Sequence, residues 1–501
     1  MNSGLLPLAV LLTSALAGVV IFLLRERQHR LRTGVNLTAA LLKLLLVGLL
    51  LNGVLQGREY TLRIPFTDGA ELLLRADPLA LLFLSLSAVL WLITTIYAIG
   101  YLEGAPHRSR FFGFFSLCVS ATAGVALAGN LLTFLLFFEL LTLTTWPLVV
   151  HRGTEKALRA GVVYLAYTLG GGTLLLLGTV WLHTLVGSTL FVPGGVTDPG
   201  GQISAATWQA IAALLLLGVG VKAALVPLHG WLPRAMVAPA PVSALLHAVA
   251  VVKAGAFGVV RILYDVVGIE RAVALNIAPL LAMLAAATII WGSLRALEQQ
   301  NLKRRLAFST VSQVSYITLG AAMAGPLALI GGLVHLVHQG LMKITLFFCA
   351  GNLAKTLGVH SVGQMRGVGR RMPLTMLAFT LAALGMIGLP PMAGFVSKWY
   401  LGLGALEAGH GGWIAVLALS SVLNAAYFLP LLYSVWFRSP LPQEEGEWQP
   451  VLQRGGHETA LTLLLPTLFV ALAALLAGLF AATADSPLAW AELIVRREYF
   501  R

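Results

Sequence analysis

The sequence has few charges and almost no cysteine. Charged residues make up 11% of its 501 residues, whereas soluble domains carry about 25%. So few charges cannot give a soluble fold of this size enough polar surface, so soluble, disordered and fibrous proteins are excluded and a polytopic membrane protein is expected. The two cysteines, Cys118 and Cys349, lie far apart in apolar runs without a CxxC pair. Iron–sulfur, zinc and disulfide frameworks are therefore not expected.

A nucleotide-binding loop is also missing. The glycine-rich stretches 170–172 and 367–369 do not follow a strand, and no GxxxxGK[ST] motif occurs. We therefore expect no nucleotide, metal or cofactor in this chain, and no catalytic redox site.

Long apolar runs dominate what is present. A helix needs roughly 20 apolar residues to span a bilayer, and about fourteen segments qualify. The seventh and twelfth are interrupted by prolines, namely Pro227 in one and Pro390 and Pro391 in the other. The pattern predicts an all-α polytopic membrane protein with about 14 transmembrane helices, of which helices 7 and 12 are broken. The predicted spans are 4–24, 37–56, 79–100, 111–129, 131–150, 161–185, 207–226, 242–264, 274–294, 306–324, 329–354, 374–404, 412–437 and 460–483.

The cations are distributed unevenly between alternate loops. With the N-terminus outside, the inner loops carry 20 Lys and Arg, the outer loops 7, and the spans the remaining six. This bias predicts a multi-pass protein of the cell's inner (plasma) membrane with both termini on the outer side. The net charge of +13 then reflects topology, and no nucleic acid is expected as a partner. Cleavage of the first segment as a signal peptide is disfavoured, because no cation precedes it and four arginines follow it.

Five ionisable side chains lie deep in predicted spans, where each costs at least about 2.5–3.5 kcal/mol. They are Glu139, Lys222, Lys253, Lys343 and Lys398. A desolvated lysine can lose its proton whereas arginine cannot, so this row suits a proton relay. For Glu139 the alternative is a structural ion pair or a neutral acid. Lys43 and Arg261, near the ends of their spans, are expected to extend to the membrane interface.

Three histidines accompany the lysines. His335 and His338 share one helix face, and His247 lies in the same span as Lys253. Imidazole can accept a proton on one nitrogen and release one from the other. The alternative is that they are hydrogen-bonded core residues. No carboxylate or cysteine lies near His335 and His338 on their helix, so a metal site is not expected.

The spacing of the two broken helices predicts an internal repeat. Broken helices at equivalent positions of two halves are typical of transporters, and five spans of separation would give the halves opposite orientation. The predicted division is 1–110 for helices 1–3, 111–264 for the first inverted five-helix repeat, 274–437 for the second, and 438–501 for a loop, helix 14 and a short tail.

Four motifs resemble the signatures of the antiporter-like membrane subunits. This superfamily spans the proton-pumping arm of respiratory complex I, membrane-bound hydrogenases and the Mrp sodium/proton antiporters. The resemblance is strong over about 110–440 and extends to the remainder by topology. The motifs are LVPLHGWLP at 225–233, APAPVSALLH at 238–247, LKRRLAFST at 302–310 and GLPPMAGFVSK at 388–398.

The resemblance implies roles for the buried residues. Glu139 and Lys222 match a buried ion pair of the fifth and seventh helices. Lys253 matches the central lysine of the eighth helix, His335 and His338 the polar positions of the eleventh, and Lys398 the terminal residue of the twelfth. The implied function is proton translocation within a hetero-oligomeric complex, with other membrane subunits as partners. The implied substrates are protons, with Na⁺ as well if the chain belongs to the Mrp branch.

The stretch 335–347 is most similar to the D-type subunit of the Mrp antiporters, which favours a subunit of an Mrp-type Na⁺/H⁺ antiporter. The alternative is an antiporter-like proton-pumping subunit of NADH:quinone oxidoreductase (complex I) or of a membrane-bound hydrogenase. An inorganic-carbon uptake subunit and a non-conducting scaffold are less favoured, since a scaffold could replace the buried charges by leucine at lower cost.

Overall fold

Apolar helices account for nearly all of the computed structural model, which describes residues 4–67, 70–198, 201, 203–439 and 458–500. In chain order the elements are α1 (Leu5–Leu23), α2 (His29–Leu55), β1 (Tyr60–Thr67), β2 (Ala70–Ala76), α3 (Pro78–Tyr101), α4 (Arg108–Leu127), α5 (Leu131–Val149), α6 (Glu155–Val186), α7 (Ala205–Lys222), α8 (Trp231–Arg234), α9 (Ala240–Ala248), α10 (Val251–Arg261), α11 (Ile269–Ala274), α12 (Ile277–Leu297), α13 (Leu302–Ala322), α14 (Pro326–Leu357), α15 (Pro373–Ile387), α16 (Ala393–Glu407), α17 (Gly412–Phe437), α18 (Leu461–Leu479) and α19 (Pro487–Ile494). A π-helical turn extends α10 over Ile262–Val267 and another extends α19 over Val495–Tyr499.

Twelve helical segments of the described chain are long and apolar enough to cross a membrane. The broken pair α15–α16 and the helix α13 supply the other two predicted spans. α13 is less apolar because serines, threonines and a glutamine occupy its middle, and from residue 305 onward every one of its side chains is buried. Such a polar helix is tolerated at membrane depth because protein surrounds it.

Both predicted helix breaks are present. α7 ends at Lys222, and the chain passes through the Val226–Pro227 peptide, which is cis, before α8 begins. α15 ends at Ile387, and α16 begins at Ala393 beyond Pro390–Pro391. Proline lacks the amide hydrogen that a helix needs, so these breaks follow directly from the sequence.

A third break, in the eighth span, was not predicted. α9 ends at Ala248 and α10 begins at Val251, and the amides of Val249 and Ala250 both donate to the carbonyl of Leu245. No proline or glycine lies in residues 248–251, so the sequence carries no local signal for it. The predicted span 242–264 is present as the segment Ala240–Val267, and the interruption at residues 249–250 is an addition to it.

A β-hairpin, β1–β2, also departs from the all-α expectation. Its antiparallel register runs from Tyr60 opposite Ala76 to Thr67 opposite Ala70. It is anchored to the bundle because the amide of Leu73 donates to the Thr133 hydroxyl at 2.7 Å. The helical prediction is confirmed for the spanning segments, and the hairpin is an addition outside them.

The connections gather on two opposite ends of the bundle. On one, the hairpin face, Asn130 donates to the Glu71 carbonyl at 2.8 Å, and the amide of Val192 donates to the Asp265 carbonyl at 3.0 Å. The opposite end is called the basic face because its loops carry most of the loop cations. The hairpin face comprises residues 56–67, 70–77, 187–198, 268–276 and 480–500. The basic face comprises residues 24–28, 102–107, 150–154, 227–239, 298–301 and 358–372. Most of the predicted loop 438–459, namely 440–457, lies outside the described residues.

Candidate functional site

Glu139 and Lys222 form a loose ion pair inside the bundle. Glu139 lies in the middle of α5, and Lys222 is the last residue of α7. The fully buried ammonium lies 3.8 Å from Glu139 Oε1, too far for a hydrogen bond. It donates instead to the carbonyl of Phe138 and lies 3.5 Å from the centroid of that residue's ring. The negative end of the α7 dipole also favours a cation at this position.

Glycines let three helices enclose this pair. A Cβ on Gly172 of α6 would lie 2.5 Å from the carboxyl carbon of Glu139. A Cβ on Gly171 would lie 2.9 Å from the carbonyl oxygen of Gly218 on α7. Small residues allow such close backbone approach between helices in membranes. The local sequence of α6 therefore holds α5 and α7 close enough for the carboxylate and the ammonium to face each other.

Lys253 lies in the first turn of α10, directly after the break in the eighth span. Its ammonium donates to the carbonyl of Leu336 on α14 at 2.8 Å. Gly255 brings α10 against the end of α7, since a Cβ there would lie 2.6 Å from the carbonyl carbon of Lys222. The break thus places Lys253 between the ion pair and α14.

The three histidines lie on α9 and α14. His335 Nδ1 lies 2.8 Å from Ser397 Oγ on α16. The ring nitrogens of His338 and His247 have no hydrogen-bond partner among the described residues, and His247 stacks on Phe347 with centroids 4.5 Å apart. Buried polar groups of this kind are satisfied in proteins by ordered water. The ring nitrogens of His247 and His338 are therefore not held in one protonation state by a protein partner among the described residues.

Lys398 binds the end of the helix before its own. Its ammonium donates to the carbonyls of Met386 and Ile387 at 3.2 and 2.7 Å, and to Ser421 Oγ at 2.9 Å. Those carbonyls belong to the last turn of α15, where intrahelical partners are missing. Gly388, at φ +94°, leaves room for the lysine stem, since a Cβ there would lie 2.7 Å from its Cδ. The twelfth-span break thus creates the acceptors for this lysine.

Lys343 is connected to the same carbonyl through side chains of α13 and α17. Its ammonium donates to Ser309 Oγ at 2.7 Å. The hydroxyl of Tyr427 lies 2.8 Å from Ser309 Oγ and is also hydrogen-bonded to Asn424 Oδ1. The amide of Asn424 donates in turn to the Met386 carbonyl at 3.2 Å. This chain of hydrogen bonds links the lysines of the eleventh and twelfth spans within the protein.

Neutral acceptors are what Lys253, Lys343 and Lys398 share. Within the described chain their hydrogen bonds go to carbonyls and hydroxyls, and none forms an ion pair. A buried charge without a counter-charge is costly, and lysine can avoid this cost by releasing its proton.

The expectation that Lys43 and Arg261 extend to the membrane interface is wrong. Lys43 is 1% exposed and donates to Ser14 Oγ at 2.6 Å. Arg261 is 2% exposed and donates to both carboxylate oxygens of Asp77 and to Asp265. Both cations have polar partners inside the protein, so neither needs the interface.

Sequence reasoning missed the polar side chains of α13, α16 and α17. Two of them contact a predicted site residue directly, Ser309 with Lys343 and Ser397 with His335. Two others are one hydrogen-bonded group away from a predicted site residue: Tyr427 through Ser309, and Asn424 through the Met386 carbonyl that Lys398 binds. A signal existed in α17, because Ser420, Asn424 and Tyr427 recur at helical spacing within an apolar run. Among the described residues, no group of three or more His, Cys, Asp or Glu side chains could hold a metal ion.

Comparison with known families decides the relationship. Residues 128–424 match the family described as "NADH:quinone oxidoreductase/Mrp antiporter, TM". The chain belongs to this family. Residues 69–112 of this antiporter-like protein also match the family "NADH-Ubiquinone oxidoreductase (complex I), chain 5 N-terminus". The resemblance expected from the four motifs is confirmed, and so is the polytopic membrane architecture.

Relatives of the antiporter-like protein come from both branches. It is 37% identical over 430 residues to the N subunit of the NADH-quinone oxidoreductase of Desulforudis audaxviator (strain MP104C), covering 84% of each chain. It is 28% identical to the D subunit of the Na(+)/H(+) antiporter of Bacillus subtilis (strain 168), covering 86% of each.

Two solved structures share its fold. A chain of the Mrp complex from Dietzia sp. DQ12-45-1b matches with a TM-score of 0.83 at 23% identity, covering 99% of this chain and 98% of that one. A chain of the membrane-bound sulfane sulfur reductase, an archaeal respiratory membrane complex, matches with a TM-score of 0.85 at 23% identity, covering 98% and 97%. At this identity the matches establish the fold.

Proposed function

We propose that this chain translocates protons as one membrane subunit of a hetero-oligomeric complex. One observation carries the proposal: the buried Lys253 and Lys343 and the half-buried Lys398 have only neutral hydrogen-bond acceptors among the described residues. Lys253 lies in the first turn after a helix break, and Lys398 binds carbonyls that a break exposes. A structural role would favour tightly paired arginines, as at Arg261. Lysines that can alternate between charged and neutral forms favour a relay.

The proposed path runs along the row of side chains. It begins at Lys222, passes to Lys253 with His247 nearby, continues to His335 and His338, and ends at Lys398 and an exit towards the outer side. Ordered water bridges the gaps. Lys343 is connected to this path by hydrogen bonds that lead to the Met386 carbonyl, which Lys398 also binds.

The loose pair of Glu139 and Lys222 provides the control point. A close carboxylate keeps Lys222 protonated, and a longer distance lets it pass its proton along the row. The Glu139 side chain is 27% exposed, on a face of α5 where Leu136, Leu140 and Leu143 are also exposed. We infer that an adjoining subunit covers this face and that a charge change there moves Glu139.

Within the antiporter-like superfamily, the stretch 335–347 favours the Mrp branch. The chain would then be a D-type subunit of an antiporter that exchanges monovalent cations for protons. The alternative is a proton-pumping subunit of NADH:quinone oxidoreductase or of a membrane-bound hydrogenase, a branch that includes the 37%-identical relative. The location is the plasma membrane, with the hairpin face and both termini outside, because the basic face carries the excess of cations. Proton flux that requires Na⁺ on the opposite side would favour the Mrp branch, and cysteine-rich redox subunits encoded alongside would favour the other.

The test compares two buried lysines in the reconstituted complex. Lys253→Met removes a member of the row, and Lys43→Met removes a lysine that is equally buried but bonded to Ser14 near the first helices. We expect proteoliposomes with Lys253→Met to lose proton flux and those with Lys43→Met to retain it. Wild-type flux with Lys253→Met would contradict the relay and favour a scaffold.

A further inference from the structure

The basic face contains a cavity that the relay does not use. Its volume is about 570 Å³, and it lies where the ends of α3, α6, α13 and α14 meet the segment around α8. Six cationic side chains and one histidine line it: Arg152, Lys156, Arg159, Arg234, Lys303, Arg304 and His360.

The lining has a large excess of positive charge. No aspartate or glutamate is among its described lining residues, and neighbouring Glu155 is exposed and paired with Arg159. Two helices, α6 and α13, also begin here, and a helix N-terminus carries partial positive charge. The first turn of α13 holds Lys303 and Arg304 and no acidic residue, an arrangement that is unfavourable without an anion.

His360 reports the same positive potential. It lies outside the spans, and its pKa is lowered by burial and by the nearby charges of Arg152 and Lys303. Lys303 itself donates to the Ala238 carbonyl. A cavity lined by six cationic side chains, two of which add to the effect of burial on the pKa of its histidine, is suited to an anion.

The cavity is also partly apolar. Val163 of α6, Met236, and Ala350 and Ala354 of α14 form this part of its wall. Basic pockets between membrane helices on the cytoplasmic side bind phosphate-bearing lipid headgroups. Arginine matches phosphate geometry with paired N–H groups.

We propose that this cavity binds a phosphate group, carried either by an anionic phospholipid of the inner leaflet or by a soluble phosphate. The site is independent of the proton relay, because none of its lining residues belongs to the row from Glu139 to Lys398. Failure of either proposal therefore leaves the other untouched.

The test uses the purified complex in nanodiscs of neutral phosphatidylcholine. One arm adds phosphatidylglycerol to the lipid, and the other adds inorganic phosphate to the buffer, with bound phosphorus counted after exchange into neutral lipid or phosphate-free buffer. The variant combines Arg152→Gln, Arg234→Gln and Arg304→Gln, three exposed side chains in the cavity. The control combines Arg25→Gln, Arg27→Gln and Arg30→Gln, exposed cations at the same face but outside the cavity.

We expect the wild type and the control to bind in at least one arm, and the variant to bind about 100-fold more weakly, since three cation contacts are lost. Binding in the phosphatidylglycerol arm alone identifies a lipid, and binding in the phosphate arm identifies a soluble ligand. The proposal would be overturned if neither phosphatidylglycerol nor inorganic phosphate bound saturably to the wild type. It would also be overturned if the variant and the control lost affinity equally. The first of these results is also expected if an acidic segment of a partner protein fills the cavity.

A second measurement needs no variant. Phosphate bound beside Arg152 and Lys303 offsets their charges, so the pKa of His360 should rise when the ligand that binds is added to the wild type. Titration of His360 by NMR that shows the same pKa with and without saturating ligand would contradict the assignment to this cavity.

Discussion

Two charge clusters in this chain, one buried and one partly exposed, hold their members very differently. Arg261 contacts Asp77 at 2.6 and 2.8 Å and Asp265 at 2.7 Å, and it is 2% exposed. Lys222 lies 3.8 Å from Glu139, whose side chain is 27% exposed. One cation has two carboxylates at hydrogen-bond distance, and the other has one carboxylate beyond it.

The difference separates a charge that holds structure from one that can move. Burial would raise the pKa of Asp77, but the charges of Arg261 and Arg75 bring it below the ordinary value. The Tyr499 hydroxyl also donates to Asp265 at 3.2 Å. The cluster thus joins the start of α3, the end of the eighth span and the C-terminal segment, and its guanidinium cannot change charge. Lys222 has neither the second carboxylate nor the permanent charge.

The largest expected effect comes from breaking the tight cluster. Arg261→Met leaves Asp77 and Asp265 buried without their cation, and removing one partner of a buried pair costs about 3–5 kcal/mol. We expect the melting temperature of the complex in detergent to fall strongly. Lys222→Met should lower it much less while abolishing proton flux. Equal melting temperatures for wild type and Arg261→Met would contradict the distinction between the clusters.

A smaller effect should follow from moving Glu139 without changing its charge. Gly172→Ala places a methyl group 2.5 Å from the original position of the carboxyl carbon, so the carboxylate must shift relative to Lys222. If the stabilisation of protonated Lys222 by the Glu139 carboxylate changes by about 1.4 kcal/mol, the rate of proton transfer changes about tenfold. Proton flux into proteoliposomes measures this. Gly170→Ala is the control, because its Cβ meets no atom within 4 Å, and equal flux in both variants would show that the pair distance is unimportant.

The smallest effect tests the connection between the lysines of the eleventh and twelfth spans. Tyr427→Phe removes the hydroxyl between Ser309 and Asn424. We expect a few-fold loss of flux with normal assembly, because a bridging hydrogen bond is worth about 1 kcal/mol. Tyr433→Phe on the same helix is the control, since Tyr433 is 55% exposed. If the two variants transport alike and Lys343→Ala is also silent, Lys343 is a packing residue.

The sequence predicts those features whose free-energy cost depends only on neighbouring residues in the chain. A charge inside an apolar run is expensive wherever the chain folds, so Glu139 and the deep lysines stand out without any structure. A proline ends a helix whatever its surroundings, so the breaks at Pro227 and Pro390 were also predictable. The division into two inverted repeats and the roles of the site residues remain predictions.

Features that depend on distant partners could not be predicted. Arg261 is bonded to Asp77, 184 positions away, and no pattern in one sequence connects them. The eighth-span break before Lys253 arises in a stretch without proline or glycine and so depends on packing against α7 and α14. The hairpin did have a local signal in the sequence, the Asp68–Gly69 pair between two runs of strand-forming residues.

The central claim is that the loose pair of Glu139 and Lys222 governs proton movement. Glu139→Gln keeps the shape of the side chain and removes its charge, and Glu155→Gln removes an exposed carboxylate as a control. Proton flux should be measured in proteoliposomes containing the assembled complex. The account predicts that Glu139→Gln lowers the flux about tenfold or more while Glu155→Gln transports normally, and wild-type flux with Glu139→Gln would contradict it.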